Sequence, residues 1–171
     1  MHKFRMLAWV KPNSYSTREA GGNPDRGIIV NKENSYEMGL ENGLGNLQGA
    51  FAPGCWRWFG GIRIPLHEWS HTAIVYDGSQ EKHYVNGLLG ESDTCAGGAL
   101  AKHPEAKLRI GARYWSSTGT DYASSSPSAN FRGDIDEVLL FSARSAAGSL
   151  SDANVEYVYS GAYRRSTGGG H

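Results

Sequence analysis

The stretch FRGDIDEVLLF, residues 131–141, sets Asp134, Asp136 and Glu137 directly against an apolar run. Three carboxylates in four positions could serve three chemistries. Two of them about 5–5.5 Å apart could be the nucleophile and general acid of a retaining glycosidase. Several converging oxygens could hold calcium. On the polar side of a strand they would only bond to turns and neighbouring strands. Strand alternation puts Phe131, Gly133, Ile135, Glu137, Leu139 and Phe141 on one face, and Arg132, Asp134, Asp136, Val138 and Leu140 on the other. Asp134 and Asp136 then lie about 7 Å apart on one face, followed by Val138, while Glu137 points the opposite way. The cluster is expected to be architectural. A single structural calcium ion at Asp134 or Asp136 stays open.

Other reactive constellations are absent. There is no G-x-S-x-G elbow, no HExxH (His67-Glu68 precedes Trp69 in a turn), no C-x-x-C and no phosphate-cradling glycine loop. The two cysteines, Cys55 and Cys95, either close a loop or stand as free thiols, and their spacing does not decide between these. His71 lies in a strand and is expected to be packed and hydrogen-bonded.

The elements that must position these residues are short strands. The 171-residue chain suits one domain with a sizeable core; its 23 glycines and 11% aromatic content favour strands joined by turns over a helical bundle. FRMLAWVKP ends at Pro12. RGIIVNK and SYEMGLENG read as a hairpin turning near Asn34-Ser35. WRWFGGIRIP follows, and then WSHTAIVYDGSQEKHYVNGLLGES, whose Asp77-Gly78 and Asn86-Gly87 pairs are hairpin signals. KLRIGARYW precedes a Ser-rich loop that leads into residue 131. One helix is predicted over 151–159, with Ser151 as N-cap and Gly161 at its end. Residues 1–163 form the domain, and 164–171 are expected to be a disordered tail. The fold expected is an all-β, two-sheet antiparallel sandwich.

Lys plus Arg and Asp plus Glu are both 17, a balance that argues against a nucleic-acid or membrane-surface partner. No apolar run reaches the roughly 18 residues that cross a bilayer. FRMLAWV is too short for a signal h-region and contains Arg5, so no signal peptide is expected.

The order of these motifs resembles the laminin-G-like, concanavalin A-like jelly roll of lectins, pentraxins and accessory modules of carbohydrate-active enzymes. FRMLAWVKP is similar to its early aromatic strand, residues 69–87 to its central hairpin, LRIGAR to its "IG" strand, and FRGDIDEVLLF with LSDANVEYVYSG to its closing signature. Catalytic members carry three alternating acids on one strand, which this chain lacks; for an enzyme, only Glu37 and Glu41 could supply the partner acid. Pentraxin-like relatives place calcium ligands just after the "IG" strand. The positions here are Ala112, Arg113, Tyr114 and Trp115, with only Asp121 nearby, so that calcium pair is not expected. By the same resemblance Trp9 and Trp69 are core residues. The family's usual first strand is missing ahead of FRMLAWVKP, which implies either a trimmed domain or a sheet edge completed by another segment or chain.

Aromatic side chains outside the core are then the natural ligand contacts, because sugar C–H faces stack on indole and phenol rings. Two groups are candidates. Tyr114, Trp115 and Tyr122, with Arg113 and Asp121, lie at or beyond a strand end. Trp56 and Trp58 share a strand face, with Arg57 opposite and Arg63 further along. The reading is a non-catalytic module for neutral poly- or oligosaccharide or glycoprotein. It needs no cofactor and inserts in no membrane, and the resemblance implies a secreted or cell-surface setting. A glycoside hydrolase or lyase on the same fold and a protein-binding adhesion domain are the alternatives.

Overall fold

The structure, a computed structural model, describes residues 3–15, 26–113 and 129–143. The helix expected over 151–159, the tail, and the candidate residues Tyr114, Trp115, Asp121 and Tyr122 lie outside the described residues.

Ten strands form two five-stranded sheets. They are β1 (Lys3–Ser14), β2 (Arg26–Lys32), β3 (Tyr36–Glu41), β4 (Leu47–Phe51), β5 (Cys55–Phe59), β6 (Ser70–Tyr76), β7 (Gln80–Val85), β8 (Leu88–Thr94), β9 (Leu108–Ile110) and β10 (Arg132–Ala143). Sheet one runs β10-β1-β6-β7-β8 and sheet two β5-β4-β3-β2-β9. Each of these strand pairs is antiparallel, as expected of a jelly-roll sandwich.

The core lies between the sheets. Phe4, Met6, Ala8 and Val10 of β1 alternate into it and meet Met38, Leu40, Leu47 and Phe51 of sheet two. The turns follow local chemistry. Asn34 takes a φ of 58° in the β2–β3 hairpin, and Asn86-Gly87 takes 51° and 79°, the doubly positive pattern of a tight hairpin. Asp77 Oδ1 accepts the Ser79 and Gln80 amides at 2.8 Å each, which closes the other predicted turn. Strand β4 has no counterpart in the sequence reading. Its segment, LQGAF, is buried along its whole length and so lacks the alternation that marks a half-exposed strand.

β1 is interior, paired on one side with β10 and on the other with β6, so another segment of the chain completes the sheet at this strand, one of the two alternatives expected. Two expectations are corrected. First, alternation along β10 fails at Glu137. The register steps from Leu7↔Leu139 to Trp9↔Asp136, and Glu137 has a φ of 46°. This bulge returns Val138 and Leu140 to the core side with Phe131 and Ile135 and leaves Leu139 and Phe141 exposed. Second, Trp69 is 44% exposed and Trp9 is half-buried on the outer face of sheet one, beside a second buried cluster of Leu7, Ala73, Val75 and Tyr84; neither lies in the core between the sheets.

Cys55 and Cys95 form a disulfide, which settles what their spacing left open. It pins segment 95–107 across one end of the sandwich. Ala96 N donates to Gly54 O at 3.1 Å, Ala101 N to Ala52 O at 3.0 Å and Ser35 Oγ to Ala101 O at 2.8 Å.

Two outcomes follow. Replacing both cysteines by serine should lower stability by about 3–4 kcal/mol, the cost of releasing a loop of this size, read as a fall in Tm that reductant reproduces in the wild type. Glu137→Gly should raise stability by about 1 kcal/mol by relieving the left-handed backbone of a non-glycine residue; an unchanged or lower midpoint in urea would contradict the bulge.

Candidate ligand face and its buried acids

The face of sheet two turned away from the core carries the sequence candidates that fall within the described residues. Leu47, Gly49 and Phe51 point inward, so Gln48 and Ala50 point outward. Gln48 Oε1 accepts from Arg26 Nε at 2.9 Å, and the Arg26 guanidinium sits 4.3 Å from the Trp58 ring centre. Trp58 is thus half-buried under a cation that Gln48 orients, while Trp56, two residues earlier on β5, is 36% exposed. Arg57 turns the other way, as alternation predicts, and pairs with Asp93 of β8 and donates to Thr94 O at 2.9 Å. Arg63 instead covers the Tyr15 ring at 5.2 Å.

Further along the same face lies a charge cluster that only partly surfaced in the sequence. Register sets Asn31 of β2 opposite Glu37 of β3. Asn31 Nδ2 donates to Glu37 Oε1 at 2.8 Å and reaches Glu33 Oε2 at 3.3 Å. Arg113 forks onto Glu33, with Nε and Nη2 at 3.1 and 2.9 Å, and its Nη1 lies 3.6 Å from Glu37 Oε2. Arg113, a candidate for sugar hydroxyls, is therefore engaged by the Glu33 carboxylate and lies against the Glu37 carboxyl. Glu37 is fully buried, and neither its Oε2 nor Asn31 Oδ1 has a hydrogen-bond partner among the described residues. Burial pushes the Glu37 carboxyl up to about 8; Arg113 opposes this and Glu33 adds to it. At neutral pH this acid keeps its proton. The guanidinium occupies the place a cation would take, so the donor set does not suit a metal.

Glu37 is one of the acids the sequence points to; Asn31 and Glu33 are not, because nothing in NKENSYE reveals cross-strand register.

The acidic stretch that opened the question lies on the other sheet. Asp134 pairs with Lys11 Nζ at 2.9 Å, and Asp136 Oδ1 accepts the Glu137 amide at 2.8 Å. Two engaged carboxylates fall short of the six to eight oxygens of a calcium site. Glu37 and Glu41 lie on β3 of sheet two and Asp134 and Asp136 on β10 of sheet one, so neither glutamate stands on a strand beside the aspartates.

Two more buried polar groups lie in sheet one. Glu81 and His83 of β7 are paired at 2.8 Å between the sheets, with Phe59 stacked 4.5 Å from the imidazole. Burial raises the Glu81 carboxyl, and its bond to His83 opposes this. Cys55, Glu81 and Cys95 cluster closely enough to hold an ion, but the disulfide consumes both thiols. His71 is packed against Trp9 at 5.4 Å, and burial lowers it to about 4, so it is neutral.

A family model for the concanavalin A-like lectin/glucanases superfamily, of laminin G type, matches residues 3–148. A search of curated proteins finds no match. Among solved structures, a candidate carbohydrate-binding protein from Bacteroides ovatus superposes with a TM-score of 0.61 at 16% identity, covering 90% of this chain and 40% of that one. Domain 4 of an extracellular arabinanase from Geobacillus stearothermophilus, in complex with arabinotriose, gives 0.54 at 21% identity, covering 92% and 66%. A heptameric pentraxin from Limulus polyphemus gives 0.54 at 15% identity, covering 92% and 69%. At such identities the likeness establishes the fold. The chain spans less than half of the Bacteroides protein.

The raised Glu37 carboxyl makes stability depend on pH with a definite sign. Its folded value lies above the ordinary 4.5 of the unfolded chain, so its contribution is full below about pH 4.5 and is lost as pH rises towards about 8. His71 acts oppositely, destabilising as pH falls from 6.5 towards 4. The clean window is therefore pH 6.5–8. There the wild-type Tm should fall with pH, and Glu37→Gln should flatten that slope in a series of thermal melts.

Proposed function

The chain belongs to the concanavalin A-like lectin/glucanases superfamily, and from that premise we propose that it is a non-catalytic module that binds neutral glycans through aromatic side chains. The observation that carries this reading is the outer face of sheet two. Exposed Trp56 stands on the same strand as Trp58, and Trp58 is backed by an Arg26 guanidinium that Gln48 holds in place. An apolar ring offers a stacking surface, and a fixed amide and guanidinium offer directional bonds to hydroxyls, the two parts a sugar site needs. The complex of the arabinanase domain with arabinotriose is a precedent on this fold. Trp115, Tyr114, Tyr122 and Asp121, which follow Arg113 in the sequence, are proposed as further ligand contacts. A secreted or cell-surface setting fits such a ligand, and among the described residues no helix is long and apolar enough to cross a membrane.

Glycoside hydrolysis is the second reading, favoured by the close pair of Glu33 and Glu37, one of them holding a proton at neutral pH. Against it, the proton-bearing carboxyl is wholly buried, and a general acid must reach the glycosidic oxygen.

A glycan array followed by oligosaccharide titration, read by tryptophan fluorescence with and without chelator, tests the proposal. Affinities in the micromolar to millimolar range are expected. Trp56→Ala, Trp58→Ala and Trp115→Ala should each weaken binding about fivefold, the loss of roughly 1 kcal/mol of stacking. Wild-type-like binding by all three folded variants would remove the aromatic platform. No binding by the wild type would leave the adhesion reading, and reducing-end release abolished by Glu37→Gln would make the chain an enzyme.

A further inference from the structure

We propose that the outer face of sheet one carries a second saccharide site, centred on Trp69 and Trp9, that takes an uncharged sugar ring. The proposal rests on the sugar-binding reading but on different residues and the opposite sheet.

Its basis is register. With Phe4, Met6, Ala8 and Val10 in the core, Trp9 and Lys11 project outward. On β10 Ile135 packs inward, so Asp134 and Asp136 project outward beside them. The pairs Lys11↔Asp134 and Trp9↔Asp136, with Trp9↔His71 on the other side of β1, set two rows on one face. Row one is Asp134–Lys11–Trp69, with Asp134 2.9 Å from Lys11 Nζ and that ammonium 5.4 Å from the Trp69 ring centre. Row two is Asp136–Trp9–His71, with the indole and imidazole rings 5.4 Å apart.

Row one offers an exposed carboxylate and an exposed indole, while in row two His71 is buried and Trp9 half-buried beside the buried Leu7, Ala73, Val75 and Tyr84; Trp69 is therefore the stacking surface, with Trp9 its neighbour two residues along β1 from Lys11, about 7 Å away. Trp69 is more exposed than Trp56, at 44%. Lys11 is shared between a ring face and a carboxylate, so a donor and an acceptor for hydroxyls already stand at the edge of the stacking surface. That arrangement suits a polyol ring: C–H groups on the indole, hydroxyls to Asp134 and Lys11.

The charge selects the ligand class. Lys11 and Arg132 contribute +2 and Asp134, Asp136 and Glu137 contribute −3, a local balance of −1. Uronic, sialylated or sulfated glycans would meet repulsion here, and neutral glycans would not.

The experiment is fluorine NMR on the full chain labelled with 5-fluorotryptophan, its five tryptophan signals assigned by single Trp→Phe replacements. The probes are arabino-, xylo-, cello- and maltotriose, with trigalacturonate as the charged control. Saturable shifts of the Trp69 and Trp9 signals with a neutral trisaccharide are expected. Trp69→Ala should weaken the Trp9-reported affinity at least about fivefold, and Asp134→Asn should weaken it while leaving the spectrum that of a folded chain. Both should leave the Trp58 titration unchanged.

Shifts at Trp56 and Trp58 with Trp69 and Trp9 unmoved would overturn the second site and leave the proposed function standing. A Trp69→Ala chain that titrates like wild type would also overturn it. Tighter binding of trigalacturonate would overturn the neutral ligand class. If no tryptophan moves with any probe, both this site and the sugar-binding reading fall.

Discussion

The hydrogen bonding of β1 on both of its edges is the constraint on which the rest depends. Because β10 and β6 flank it, β1 cannot rotate or slip by one residue without driving Trp9 and Lys11 into the core and Met6 and Val10 out of it. That single register fixes which carboxylates of the acidic stretch meet solvent and which apolar side chains close the sandwich. The bulge at Glu137 is how β10 keeps pace. It absorbs one residue, so Ile135 and Val138 both face inward although they are three positions apart.

The second organising feature is the burial of polar groups in pairs. Glu81 with His83 lies between the sheets, and Glu37 with Asn31 and Arg113 lies on the outer face of sheet two. A lone buried charge is costly, and a pair costs less only when its bonds are complete. Glu37 keeps an oxygen without a hydrogen bond among the described residues, and a proton is the simplest remedy. The same acid that looks reactive because its affinity for a proton is high is thus explained by its isolation from water. A perturbed acid does not by itself mark an active site.

The outer faces of the two sheets differ in chemistry. Sheet two presents an indole backed by a guanidinium, with Trp56 beside it. Sheet one presents indoles edged by carboxylates and one lysine. In both, a charged group lies against an aromatic face, so the ring is held in place before a ligand arrives and less ordering is needed on binding.

Much of this was legible in the amino-acid sequence because it is local. Asn34, Asp77 and Asn86-Gly87 dictate turns through their own backbone preferences, and the apolar alternation of β1 and β6 names the core. The motif order alone was enough for the fold. What required tertiary structure was everything that depends on which strand lies beside which. A one-residue bulge leaves no trace in FRGDIDEVLLF, yet it reverses the faces of Val138 and Leu140. The family resemblance makes Trp69 a core residue, but it sits just before β6, where Lys11 lies over its ring. Asn31, Glu33, Glu37 and Arg113 meet across three separate segments. The disulfide was undecidable for the same reason: sequence separation carries no information on distance, and only the folded pairing of β5 with segment 95–107 brings Cys55 to Cys95.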